Sequence, residues 1–259
     1  MSDLMAGKRG LVMGVANDHS IAWGIAKALH EQGAELAFTY QGETLRRRVE
    51  PLAQSLGSDL VLQCDVEDAG SMDTVFDFIK RRWKGLDFLV HCIAFSDKEE
   101  LKGKYIDTTE ANFTRTMRIS CFSLTALSQR AATLMKNGGS IVTLSYLGAE
   151  RVMPNYNVMG VAKAALEASV RYLAADLGPD NIRVNAISAG PMRTLAGSAI
   201  ADARFVFKFS QQHAPLRRTP TLEEIGGAAV YLLSDLGTAV TGELLHVDSG
   251  FHAIGMPKP

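Results

Sequence analysis

Residues 10–40 read GLVMGVANDHSIAWGIAKALHEQGAELAFTY. A short apolar run, GLVMGV, gives way to a polar loop. From Ile21 to Gln32 the apolar residues recur at helical spacing, and a second apolar run, ELAFTY, follows. Apolar runs of this length, on either side of an amphipathic segment, read as two buried strands joined by a helix. Strands joined in this way lie parallel, and their sheet is covered on both faces.

The same rhythm runs outward to the end of the chain. DLVLQCDV, LDFLVHCIAF, SIVTLS, IRVNAIS and a segment near Glu243–Val247 read as further strands. Between them lie helical patterns at Glu43–Leu56, Ser71–Trp83, within Thr109–Met135, at Tyr156–Leu177 and at Leu222–Leu233. The expected architecture is α/β: a single doubly wound Rossmann-type domain over 1–259, with a parallel sheet of about seven strands and helices on both faces. No linker, repeat or low-complexity tract divides it. The least regular stretch, Ala189–Arg218, follows a strand's C-terminal end, where open α/β sheets bind ligands. A substrate-binding lid is expected there, at about 190–218, with weak helical patterns at Leu195–Ile200 and Ala203–Gln212.

The chain has 259 residues, 47% of them apolar, enough to bury a large core. With 27 basic and 28 acidic residues its net charge is −1, so nothing in the bulk charge draws it to nucleic acid. Cys64, Cys92 and Cys121 form no CxxC pair, and the six histidines are scattered. These features point to a reducing compartment and to no structural metal. No apolar run is long enough to span a bilayer. A cytoplasmic enzyme without membrane insertion is expected.

The loop after the first strand, GVANDHSIAWG (14–24), sits where a dinucleotide site needs a tight turn and a helix N-terminus facing pyrophosphate. Gly14 can make the turn. Ser20 and Ile21 stand at the helix start, where Ser20 offers a hydroxyl and an amide to a phosphate, and Gly24 would allow the helix close to the sheet. The spacing is not GxGxxG, because Ser20 takes the place of the middle glycine. After the second strand, Gln41 can bond a ribose 2′-hydroxyl without adding charge, which favours NADH over NADPH. Arg46, Arg47 and Arg48 follow one or two turns later. Asp65 and Val66 could flank an adenine, and Asp65 could equally cap a turn.

The longest chemical signal is SYLGAERVMPNYNVMGVAKAAL, Ser145–Leu166. Tyr156 and Lys163 are seven apart, about 20° short of two helical turns, so both face the same side. Tyr146 closes the preceding strand. A phenol is a proton or hydrogen-bond donor at neutral pH, and a neighbouring ammonium makes it a better acid. The trio suits stabilisation of an enolate or alkoxide. Packing tyrosines beside an exposed lysine would give the same pattern.

Taken together, GVANDHSIAWGIA, ELAFTYQ, QCDV, LSYLGAERVMPNYNVMGVAKAALEASVRYLA, RVNAISAGPMRTLA and GELLHVDSG resemble the short-chain dehydrogenase/reductase superfamily. More narrowly, they resemble its divergent branch, the enoyl-[acyl-carrier-protein] reductases of bacterial fatty-acid synthesis. Standard members have tyrosine and lysine four apart, whereas Tyr156-x6-Lys163 with Tyr146 upstream is the pattern of that branch. The resemblance implies hydride transfer from NADH to the β-carbon of a trans-2-enoyl thioester. Tyr156 would stabilise the enolate, Lys163 would hold the nicotinamide ribose, and Tyr146 would line the acyl pocket. It carries cofactor contacts onto Gly14, Ser20, Ile21, Gln41, Asp65, Val66, Ile93, Met192, Arg193, Thr194, Leu195 and Ala196. It places Ala94, Phe95 and Ser96 beside the nicotinamide and substrate. It also implies acyl carrier protein as partner and a homotetramer.

Two other readings share this fold: a ketone or alcohol dehydrogenase, with Ser145 as the second donor, and a nucleotide-binding regulator without turnover. For an acidic carrier protein, a basic rim is expected among Arg193, Arg204, Lys208, Arg217 and Arg218.

Overall fold

Seven strands lie side by side: β1 (Arg9–Met13), β2 (Glu35–Tyr40), β3 (Val61–Gln63), β4 (Phe88–His91), β5 (Gly139–Ser145), β6 (Ile182–Ala189) and β7 (Leu244–Val247). Their order is β3-β2-β1-β4-β5-β6-β7, and every neighbouring pair is parallel. The computed structural model describes residues 3–194 and 203–256. The helices are α1 (Ile21–Glu31), α2 (Glu43–Ser55), α3 (Ala69–Trp83), α4 (Glu110–Met117), α5 (Ser123–Ala132), α6 (Asn157–Leu177), α7 (Ala203–His213) and α8 (Leu222–Leu233). The expected doubly wound α/β domain is the observed one.

Alternation along the strands sorts the core into two layers. Leu11 and Met13 of β1 point to one face, where they pack with α3, α5 and α6. Val12 points to the other, with α1, α2 and α8. Burial on both faces explains why these strands read as nearly continuous apolar runs. Strand order reverses between β1 and β4, and such a switch point opens a crevice at the strands' C-terminal ends.

Two local expectations are corrected, those for the third strand and for Gly24. The third strand is only three residues long, because Cys64–Val66 already belongs to the turn into α3. The segment 109–135 is α4 and α5 joined by a π-helical turn, Arg118–Phe122. Gly24 serves helix–helix packing: a Cβ there would stand 2.7 Å from Leu222 Cβ on α8. Pattern at 203–212 does become a helix, α7. The pattern at 195–200 lies outside the described residues.

Candidate active site

A cleft of about 1910 Å³ opens at the C-terminal ends of the central strands. Its walls bring together Gly14, Ser20, Ile21, Gln41, Asp65, Val66, Ile93, Ser96, Tyr146, Tyr156, Lys163, Met192, Arg193 and Thr194. Ala94 and Phe95 line it too. Leu195 and Ala196 lie outside the described residues.

The nucleotide end begins at Gly14, whose φ of 97° suits glycine and whose Cβ, if present, would stand 2.0 Å from the Cys92 carbonyl oxygen. The bare backbone therefore lets the ends of β1 and β4 meet beneath the cleft. Ser20 works differently from the sequence expectation. Its Oγ accepts from the amides of Ala16 and Asn17, both at 3.0 Å, and donates to Asn17 Oδ1 at 3.1 Å. The hydroxyl thus closes the loop on itself. The first amides of α1, at Ile21 and Ala22, have no intrahelical partner, and both residues line the cleft. Asp65 takes the role of turn residue, accepting from the Glu67 amide at 2.9 Å, while still lining the cleft. Next to Gln41, Arg46 is paired with Glu50 at 2.6 Å and Arg47 with Glu43 at 3.4 Å, so their charges are already met on α2.

The far wall is a clamped loop. In the π turn, Ser120 Oγ accepts from Phe95 N at 2.9 Å and donates to Phe95 O at 3.0 Å. Ser96 Oγ accepts from Thr116 Oγ1 at 3.0 Å and from Asn112 Nδ2 at 3.2 Å. Arg115 lies over the Phe95 ring, 4.6 Å from its centroid.

The reacting end is built by β5 and α6. Tyr156 is the residue just before α6, held between Asn155 (φ 54°) and Asn157 (φ 34°), both in left-handed backbone. Asn157 Nδ2 also donates to the Leu101 carbonyl at 3.1 Å, which ties this turn to the 97–104 loop. The Tyr156 ring is buried, and Tyr146 meets it edge to face. Burial pushes the Tyr156 phenol up, helped by Tyr146 and Glu167. Burial alone raises Tyr146, to about 12. Both phenols therefore stay protonated at neutral pH. The sequence expectation that an ammonium would make Tyr156 more acidic is reversed by desolvation.

Lys163 is buried, at 7% exposure, and its Nζ donates to the Leu144 carbonyl of β5 at 2.6 Å. Burial lowers it to about 8, against smaller upward pulls from Cys92, Glu167 and Cys121. Ser145 does not face the cleft as a free donor. Its Oγ donates to Glu167 Oε1 at 2.5 Å. Behind the site His91 bridges Thr143 Oγ1 and Ser123 Oγ, each at 2.8 Å. Ser123 gives its own proton to the Ile119 carbonyl, so His91 donates from Nε2 and accepts at Nδ1. Sequence reasoning missed Glu167 and this role of His91. Glu167 carried no local signal beyond its place one turn after Lys163.

Of the five cations among which a rim is expected, Arg193, Arg204 and Lys208 line the cleft. Arg193 stacks over Phe207, 4.8 Å from the centroid. Arg217 and Arg218 do not. Arg217 bonds the Gln212 carbonyl, and Arg218 is bidentate to Glu224 at 2.5 and 2.7 Å, beside the capping box of α8.

A family model described as Enoyl-(Acyl carrier protein) reductase matches residues 14–252. The chain is 66% identical over 257 residues to "Enoyl-[acyl-carrier-protein] reductase [NADH] 2" of Rhizobium meliloti, covering 99% of this chain and 96% of that protein. It is 55% identical to the NADH enoyl-[acyl-carrier-protein] reductase of Rickettsia typhi, covering 98% of each. Among solved structures, the enoyl-(acyl-carrier-protein) reductase of Anaplasma phagocytophilum in complex with NAD superposes with a TM-score of 0.97 at 58% identity, over 100% of this chain and 99% of that one. The corresponding protein of Candidatus Liberibacter asiaticus gives 0.98 at 56%, over the full length of both. From the glycine turn after β1 to the last helical turn after β7, this chain belongs to the enoyl-(acyl carrier protein) reductase family.

Proposed function

We propose that the chain is an NADH-dependent reductase of trans-2-enoyl thioesters carried on acyl carrier protein. The observation that carries this reading is the meeting of Tyr156 and Lys163 in one cleft, with Tyr146 against Tyr156 and a glycine-floored nucleotide end beyond. The fit to NADH rests on Gly14, on the free first amides of α1 and on the uncharged Gln41. Bound there, NADH would supply a hydride to the substrate β-carbon.

The chain's own residues do the rest. Tyr156, protonated because it is buried, donates a hydrogen bond to the thioester carbonyl and holds the charge that grows there. Lys163 would hold the ribose hydroxyls of the bound cofactor. Tyr146 shapes the acyl pocket and braces the Tyr156 ring. Gly190–Thr194 and α7, which contribute Arg193, Arg204, Phe205 and Lys208 to the wall, serve as the described part of a substrate cover. The cations among them face the acidic carrier. No helix among the described residues is long and apolar enough to cross a membrane. The exposed Phe122 and Tyr172 fit burial in a homotetramer of cytoplasmic enzyme.

Ser145 argues against a ketone or alcohol dehydrogenase, because its hydroxyl proton goes to Glu167. The test is NADH consumption with a trans-2-enoyl thioester against a β-ketoacyl thioester, for the native protein and Tyr156→Phe. Turnover of the enoyl substrate alone, cut about a hundredfold or more in the variant, is expected. Turnover of the ketone would select the dehydrogenase. NADH binding with no turnover of either would select a regulator.

A further inference from the structure

Lys163 and Glu167 are four residues apart on α6, so they stand as neighbours one turn apart. Both are buried, at 7% and 8% exposure. Each also holds the end of β5. Lys163 Nζ bonds the Leu144 carbonyl at 2.6 Å, and Glu167 Oε1 takes the Ser145 hydroxyl at 2.5 Å. Two successive residues of one strand are thus gripped by two successive turns of one helix, directly before Tyr146.

A buried ammonium is costly unless something compensates it. The groups that face Lys163 are His91 at the end of β4, Cys92 just after it, Cys121 of the π turn, and Glu167. His91 is held neutral, since burial lowers it to about 3. Cys92 is held as a thiol, since burial raises it to about 12. Glu167 is the one carboxylate in the set. Its own surroundings are Ser145 of β5, Glu150 in the turn beyond, His246 of β7 and Arg171 on α6. Burial raises the Glu167 carboxyl and is the largest influence on it, and Glu150 acts the same way, while the Ser145 hydrogen bond, His246 and Arg171 support its charge. His246 is itself hydrogen-bonded to Glu150 at 2.8 Å.

We propose that Glu167 is a positioning residue that keeps Lys163 in its charged, hydrogen-bond-donating form and pins the end of β5 to α6. Glu167 touches neither substrate nor cofactor in this scheme and acts through Lys163 and Ser145. The inference rests on the reading of Lys163 as a cofactor-holding group. Without Glu167, burial would strip the proton from Lys163 at a lower pH, and nucleotide affinity would fail with it.

The test is the dissociation constant of NADH, read by fluorescence between pH 6.5 and 10. It would be measured for the native protein, Glu167→Gln, Glu167→Asp and Lys163→Met. Affinity of the native protein should fall along an alkaline limb. Glu167→Gln should move that limb down by about one pH unit, and Glu167→Asp should return it towards its native place. If the amide variant does not fold, as judged by its melting curve, Glu167→Met makes the same charge deletion with a side chain that packs. Lys163→Met should abolish the limb. If the limb survives in Lys163→Met, the Lys163 reading fails and this inference fails with it. If Lys163→Met abolishes the limb but the neutral Glu167 variants leave it in place, only the role of Glu167 is overturned.

Discussion

The rings of Tyr146 and Tyr156 meet edge to face, with centroids 5.1 Å apart and planes inclined at 73°. Such a contact is worth about 0.5–1.5 kcal/mol beyond the area it buries. It joins the end of β5 to the first residue before α6, so one tyrosine sets where the other's hydroxyl can reach.

Tyr146 is therefore expected to act more by its ring than by its hydroxyl. Tyr146→Phe keeps the ring and should change kcat by less than about tenfold, whereas Tyr146→Ala should lower it by about tenfold or more as Tyr156 loses its brace. Steady-state kinetics with a short enoyl thioester would check this. Equal losses in both variants would give the Tyr146 hydroxyl a direct part in the chemistry.

Gly148 tests the same geometry from below. A Cβ there would stand 2.3 Å from Tyr156 Cδ1 and 3.3 Å from Tyr146 Cδ1. Gly148→Ala must push the Tyr156 ring aside, and a shift of about 1 Å can cost a hundredfold in rate. The expected result is a large fall in kcat with NADH affinity near native, since the nucleotide end is untouched. A native kcat would mean that the position of the Tyr156 ring does not govern the reaction.

His91 predicts acid sensitivity. Burial is the first cause that lowers its pKa to about 3, and the Lys163 charge is the second. Below about pH 6.5 the unfolded chain takes up a proton at this position that the native state refuses. Its contribution is complete above pH 6.5 and is lost as pH falls towards the folded value, at up to about 1.4 kcal/mol per pH unit. Urea titrations at pH 7 and pH 5 should show a steeper loss for the native protein than for His91→Gln. Equal slopes would assign the acid sensitivity to other groups.

The cleft rim gives a substrate-dependent prediction. Arg204→Glu with Lys208→Glu should raise KM for carrier-bound substrate far more than for a small thioester. Reversing Arg218, which is occupied by Glu224, should act through stability rather than KM. An equal effect of the Arg204 and Lys208 changes on both substrates would remove carrier docking from these residues.

Much of this was legible in the chain. Apolar runs, helical periods and short turns are set by neighbouring residues, so the βαβ rhythm, the parallel sheet and the pairing of Tyr156 with Lys163 could be read directly. Gly14 was legible for the same reason: a turn after a first strand needs backbone freedom wherever that strand lies. Other features were settled only by parts of the chain that meet from far away. Ser20 looked like a phosphate donor until its oxygen was found closing its own loop. Gly24 looked like a contact with the sheet until α8 came to lie against it. Tyr156 looked acidified, but the fold buries its phenol, and burial raises it. Glu167 read as an ordinary helical residue, and its meaning comes from Ser145, 22 residues before it, and from His246 on the last strand. The sequence determined which groups exist and how they are spaced. Burial, hydrogen-bond assignment and charge state are properties of what surrounds each group, and only the tertiary structure decided them.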